Sequence, residues 1–192
     1  APKAKSIDRP KHHHILAAHL EGVPGVLAEL AREELADIAD LTVRINALEK
    51  RLTELVKQAA PTLLAMPGVG ALTAAKIVGE TAGVTRFKSE AAFARHAGIA
   101  PIPVWSGNTR GRVRLTRSGN RQLNAAVHRI AVTQIRLDGL GKTYYEKKKA
   151  EGMSTPEALR CLKRRLARIV FNHLTTDHHH IATTGTPIPA AA

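Results

Sequence analysis

Ser106 is the residue in this chain best placed to act as a nucleophile toward a phosphate, because Arg110, Arg112, Arg114, Arg117 and Arg121 follow it closely. Guanidinium groups gathered around a serine can stabilise its alkoxide. They can also stabilise the pentacovalent phosphorus formed when that oxygen attacks a phosphodiester. The nearest histidines in sequence, His96 and His128, are well separated from the serine, so a Ser-His-Asp arrangement is not supported. An ordinary turn also carries serine before glycine, as in Ser106-Gly107, and the neighbouring Trp105 reads more readily as core than as a base-stacking platform. Taken alone, these residues leave both readings open.

A second phosphate-directed pattern is Met66-Pro67-Gly68-Val69-Gly70 running into Ala71-Leu72-Thr73-Ala74-Ala75-Lys76-Ile77, which has the form of a helix-hairpin-helix. Gly68 and Gly70 let the main chain approach a phosphate. The following helix presents unpaired N–H groups and its positive end, with Thr73 and Lys76 on the same element. A packed helical hairpin that binds nothing carries the same punctuation.

The charge distribution supports a polyanionic partner. The chain has 29 Lys and Arg against 16 Asp and Glu, a formal charge of +13, and binding a nucleic acid releases counterions for every phosphate neutralised. Eight of the 16 acids fall between residues 21 and 54, whereas Ala91 to Leu137 holds eight Arg and no acid. A basic stretch of that kind is an electrostatic footprint for DNA, although Arg-rich loops also serve structured RNA. Cys161 is the single cysteine, which excludes an intramolecular disulfide framework. No apolar run approaches the roughly 20 residues that span a bilayer, and Lys3, Lys5, Arg9 and Lys11 lead into His12, His13 and His14 rather than an apolar leader. The expected location is cytoplasmic, with no membrane partner. Neither His triplet, 12–14 or 178–180, has a second ligand cluster at metal-binding spacing.

Helices must position these residues, since 44% of the chain is hydrophobic and only 3% aromatic, a composition suited to all-α packing through Leu, Ile, Val and Ala. Residues 1–26 contain Pro10, Gly22, Pro24 and Gly25 and read as an irregular segment. Residues 27–60 read as a coiled-coil dimerisation helix, because Ile38, Leu41, Ile45, Leu48, Leu52 and Leu55 recur with alternating spacings of 3 and 4. Ile at a and Leu at d suit a parallel two-stranded coil, so a homodimer or higher oligomer is expected; packing of the same stripe onto its own domain is the alternative. Residues 61–174 read as a helical domain. It contains the glycine hairpin, a short helix near Ser89–Ala97, a Pro- and Arg-rich loop from Gly98 to about Thr116, a helix capped by Ser118 or Asn120 and running toward Leu137, and a helix from Thr155 to His173. Residues 175–192 read as a disordered tail.

Four segments in this order carry a resemblance: Leu63 to Glu80; Gly98-Ile99-Ala100-Pro101 with Trp105-Ser106-Gly107; Leu115-Thr116-Arg117-Ser118-Gly119-Asn120; and Ala158-Leu159-Arg160-Cys161-Leu162-Lys163-Arg164. Together they resemble the transposase domain of the insertion-sequence one-ten family, which includes the Piv-type invertases, and residues 27–57 match the coiled coil that links its protomers. The resemblance implies DNA strand exchange, with a serine at the position of Ser106 joined covalently to DNA and a guide RNA choosing the sites. It also implies a RuvC-like domain with four metal-binding acids ahead of the coiled coil. Nothing here corresponds to that domain, since only Asp8 and Glu21 precede residue 29. A divalent metal is therefore expected in that absent domain and no cofactor in this chain, which reads as a fragment, a decayed element or a protein with a separate partner. Asn124 stands where relatives often carry Arg, which removes one expected phosphate contact. The alternative function is a non-catalytic helix-hairpin-helix module that binds DNA and dimerises.

Overall fold

The computed structural model describes residues 9–110, 113–115 and 118–185. Its chain divides into two compact units, residues 1–51 and 52–192. Among the described residues the fold is all-α with one small two-stranded ribbon, in agreement with the composition.

In the first unit, Pro10–Leu20 form helix α1, which turns back onto the start of α2, Val26–Ala59. Pro10 begins α1 rather than breaking it, because a first-turn proline loses no helical hydrogen bond. Residues 10–20 are therefore ordered where the sequence suggested irregular chain. Arg32 Nη1 donates to the carbonyls of Leu20 (2.9 Å) and Val23 (3.2 Å), which satisfies acceptors at the end of α1. The His13 ring bonds the carbonyl of Leu35 at 2.7 Å, and Ala28 and Leu35 are buried. Along α2, Leu41, Ile45, Leu48 and Leu55 of the heptad stripe are exposed.

The second unit is organised around α8, Thr155–Thr184, which touches α3 (Pro61–Leu64), α5 (Glu90–His96), α6 (Arg121–Gln134) and α7 (Leu140–Ala150). Ala158, Leu162, Leu166, Val170 and Leu174 recur every fourth residue of α8 and are buried, the pattern of one helical face. Leu162, Leu166, Val170 and Leu174 meet Leu63, Phe93, Leu123, Val127 and Ile130 in a single core, with Ile77 of α4 (Ala71–Thr81). Ser154 and Glu157 close a capping box at the start of α8.

The end of α8 differs from the sequence reading, in which the chain beyond Leu174 is a disordered tail. Asp177 is 1% exposed, and its carboxylate accepts the backbone N–H groups of Thr62 (3.1 Å) and Leu63 (3.3 Å). Those are unpaired donors of the first turn of α3, so residues 175–184 are helical because another helix end rests on them. Helix α7 was also unanticipated. Gly139 stands at its N-cap, and no residue of α7 is fully buried.

Candidate nucleic-acid interface

The loop expected between Gly98 and Thr116 contains an antiparallel ribbon. Strand β1, Pro101–Pro103, pairs with β2, Val113–Leu115, in the register Pro101 with Leu115, Ile102 with Arg114 and Pro103 with Val113. Prolines are tolerated here because a two-stranded ribbon has only edge strands. The connection carries Trp105, Ser106, a 3-10 turn at Gly107–Thr109 and Arg110. Ser106, Arg110 and Arg114 are exposed. Trp105 is 47% exposed rather than part of the core, because the ribbon lifts it away from the helices.

A bracket of hydrogen bonds fixes the base of the ribbon. The main chain of Gly119 lies directly against Gly98: a Cβ on Gly119 would stand 2.3 Å from Gly98 N and 2.4 Å from its Cα. Asn120 N donates to His96 O at 2.7 Å. Asn124 Nδ2 donates to the carbonyls of Ala97 (2.9 Å) and Gly98 (3.2 Å), while its Oδ1 accepts from Lys163 Nζ of α8 at 2.6 Å. Burial pushes the Lys163 ammonium below its ordinary pKa. Asn124, where the resemblance led us to expect arginine, is thus a structural tie between α5, α6 and α8.

Asn120, a candidate DNA contact as well as a candidate helix cap, is hydrogen-bonded within the protein. Its Oδ1 accepts Leu123 N at 2.9 Å as the N-cap of α6, and its Nδ2 donates to Glu80 at 2.8 Å. The side chain is engaged within the protein at both ends. Arg121, one residue later, is exposed in the first turn of α6. A guanidinium there gains nothing from the positive end of the helix, so its charge is directed to whatever anion approaches from outside. Arg112 and Arg117 lie outside the described residues.

The glycine hairpin is shorter than a helix-hairpin-helix, since the element before it, α3, is a single turn. Gly68 has φ +81° and packs close to Thr133 and Gln134, while Gln134 Nε2 donates to Pro67 O at 2.7 Å. Gly70 is the exposed N-cap of α4, with nothing within 4 Å of a Cβ position. Thr73 is half-buried in the next turn and Lys76 is exposed.

A further basic surface lies on α8. A groove of about 1410 Å³ brings Arg114 of the ribbon together with Arg160, Arg164, Arg165 and Arg168. Glu90, the first residue of α5, accepts both Arg168 Nη2 (2.6 Å) and Nε (2.5 Å), and lies 4.0 Å from Arg164. The hydrogen bond from Arg168 holds the Glu90 carboxyl below the usual carboxylate range, and the charges of Arg168 and Arg164 act in the same direction. The four α8 arginines were not among the candidates read from sequence. The spacing of four residues between Arg160, Arg164 and Arg168 is a signal already present in the sequence.

Among the described residues, no three His, Cys, Asp or Glu side chains converge as metal ligands, and no helix is long and apolar enough to cross a membrane. Residues 60–146 match the Transposase IS116/IS110/IS902 family. The chain is similar to an insertion element IS900 42 kDa protein of Mycobacterium paratuberculosis, 32% identical over 95% of this chain and 48% of the relative. It is also similar to an IS116 44.8 kDa protein of Streptomyces clavuligerus, at 28% over 88% and 42% of the two chains, and to an IS110 43.6 kDa protein of Streptomyces coelicolor, at 34% over 66% and 32%. The chain therefore spans about half the length, or less, of these relatives.

Proposed function

Because the chain belongs, over residues 60–146, to the Transposase IS116/IS110/IS902 family, we propose that it is the DNA-binding, serine-bearing part of a DNA recombinase. Ser106 Oγ attacks a DNA phosphorus, the bond from that phosphorus to one deoxyribose oxygen breaks, and the freed oxygen takes up a proton. A second sugar hydroxyl reverses the step and restores the serine. Guanidinium groups of the ribbon, Arg110 and Arg114 among those described, stabilise the charge that builds on the phosphoryl oxygens. Arg121, Gly70 and Lys76 hold the backbone on either side.

The observation that carries this reading is the exposure of Ser106 on a ribbon whose base is fixed by the Gly98–Gly119 contact and the Asn124 bracket. A nucleophile needs both access to its target and a fixed origin, because misplacement by about 1 Å costs on the order of 100-fold in rate. The family resemblance assigns turnover to an assembly in which a RuvC-like domain is supplied in cis or in trans. The exposed stripe of α2 supports a homodimer, and a guide RNA is the expected source of site choice.

The test is a split between binding and chemistry. In an assembly that performs strand exchange, Ser106→Ala is expected to keep the affinity of the parent for duplex DNA and to lose exchange altogether. Exchange that survives Ser106→Ala would leave the chain as a DNA-binding and dimerisation module.

A further inference from the structure

We infer that the arginine groove on α8 is a second DNA contact, a track for the sugar-phosphate backbone of duplex DNA that starts at Arg114 of the serine ribbon and runs along α8, away from the glycine hairpin. The inference rests on the reading of the chain as a DNA-binding protein and adds the surface that carries much of the affinity.

Three observations lead to it. Arg160, Arg164 and Arg168 stand four residues apart on one helix, so the row covers about 12 Å at 1.5 Å per residue. That is three to four nucleotide steps of B-form DNA at about 3.4 Å per strand. Five arginines line the groove against two glutamates, and both glutamates are already engaged: Glu151 accepts Lys148 at 2.6 Å and Glu157 is held in the capping box with Ser154. Among the described residues, neither Arg160 nor Arg165 forms an ion pair, and Glu157, whose carboxylate is held by Ser154, feels the charge of Arg160 only as its weakest influence. The groove is also larger than the roughly 300–1,000 Å³ typical of a small-molecule pocket, which suits a polymer.

The chemistry of the walls selects the form of the polymer. Tyr144 is the aromatic residue lining the groove, and cations sit over its ring: Arg165 is 4.8 Å and Lys148 5.8 Å from the centroid. The ring is thus not a bare platform on which an unpaired base could stack, and a groove without such a platform grips a backbone rather than reading splayed bases. Glu90 is a positioning residue here, fixing Arg168 and drawing Arg164 toward the row.

The experiment is a salt titration of the 192-residue chain with a fluorescein-labelled DNA duplex. Replacing Arg160, Arg164 and Arg165 by Gln is expected to flatten the slope of log affinity against log salt by about 0.9 for each phosphate contact removed, about 2.7 for the triple variant. Arg160→Gln alone is expected to flatten it by about 0.9, and it removes an exposed side chain on which no packing depends. The triple Arg→Lys variant keeps the charges and should restore the parent slope. Helical content and melting temperature, measured in parallel, separate loss of contact from loss of fold.

An unchanged slope in a folded triple-Gln variant that still binds DNA overturns the groove assignment and leaves the proposed function standing. A change confined to a folded RNA competitor overturns it as well. So does a change confined to oligomeric mass, which would mean that the row receives the acidic α2 of a second copy. Absence of DNA binding by the parent chain removes both the groove assignment and the function on which it rests.

Discussion

Gly119→Ala tests the bracket beneath the serine ribbon. The added Cβ would lie 2.3 Å from Gly98 N and 2.4 Å from Gly98 Cα, against an ordinary contact of 3.4 Å or more. The two backbone segments must therefore separate by about 1 Å, and neither is a flexible side chain that can swing aside. Overpacking of this kind costs about 1–3 kcal/mol, and stretching the 2.7 Å bond from Asn120 N to His96 O adds about 0.5–1.5 kcal/mol. A loss of about 1.5–4.5 kcal/mol follows, which at roughly 2–4 °C per kcal/mol for a chain of this size lowers Tm by roughly 3–18 °C. Gly79→Ala is the matched control. It sits inside α4 with nothing within 4 Å of its Cβ position and should stabilise the protein by about 0.4–1 kcal/mol. Thermal melts followed by circular dichroism compare the two. If Gly119→Ala melts with the parent protein, the close approach described at the ribbon base is wrong.

Three further predictions concern other parts of the fold. Asp177→Ala leaves the Thr62 and Leu63 N–H groups without their acceptor and should destabilise by about 2–4 kcal/mol in denaturant titration; a change below about 0.5 kcal/mol would return residues 175–184 to the tail predicted from sequence. Glu90 has a folded pKa below its ordinary value of 4.5, so its pairing stabilises the fold above that value and is lost as pH falls through the lowered one. The Tm deficit of Glu90→Gln should accordingly be full at neutral pH and vanish in strong acid, whereas a deficit independent of pH would assign it to packing. Ile45→Glu with Leu48→Glu introduces charge into the exposed heptad stripe and should convert a dimer to a monomer by light scattering; an unchanged mass would show that this stripe does not join protomers.

Where local chemistry alone decides, the sequence was readable. Asn120, one of the two residues offered as the cap of α6, and the turn at Gly68 follow from residues that satisfy a helix end or permit positive φ. The apolar stripe Leu159, Leu162, Leu166, Ile169 and Val170 of α8 was legible from its helical period, and the fold buries Leu162, Leu166 and Val170 while leaving Leu159 and Ile169 half-buried at its edge. Features created by distant partners were not legible. Residues 175–184 carry no strong apolar period, and they are helical because Asp177 meets the start of α3, more than 100 residues away in the chain. Gly141 lies in the first turn of α7, where Gln134 occupies the space that a Cβ would take, so this glycine serves packing rather than ending a helix. Trp105 was assigned to a core by the usual habit of a lone tryptophan, which a projecting ribbon overrides. At the candidate site, Ser106 and its arginines could be named from sequence, but the Gly98–Gly119 contact and the grouping of Arg114 with the α8 arginines arise only in three dimensions.

The most direct test of the account is to trap the covalent step. A DNA substrate nicked so that the cleaved end diffuses away is incubated with a strand-exchanging assembly containing this chain, and the protein is digested and mapped by mass spectrometry. The account predicts a nucleotide phosphate attached to the peptide that contains Ser106, and no such adduct in a Ser106→Ala variant that still binds the substrate. An adduct on another residue, or one that persists without the Ser106 hydroxyl, would contradict it.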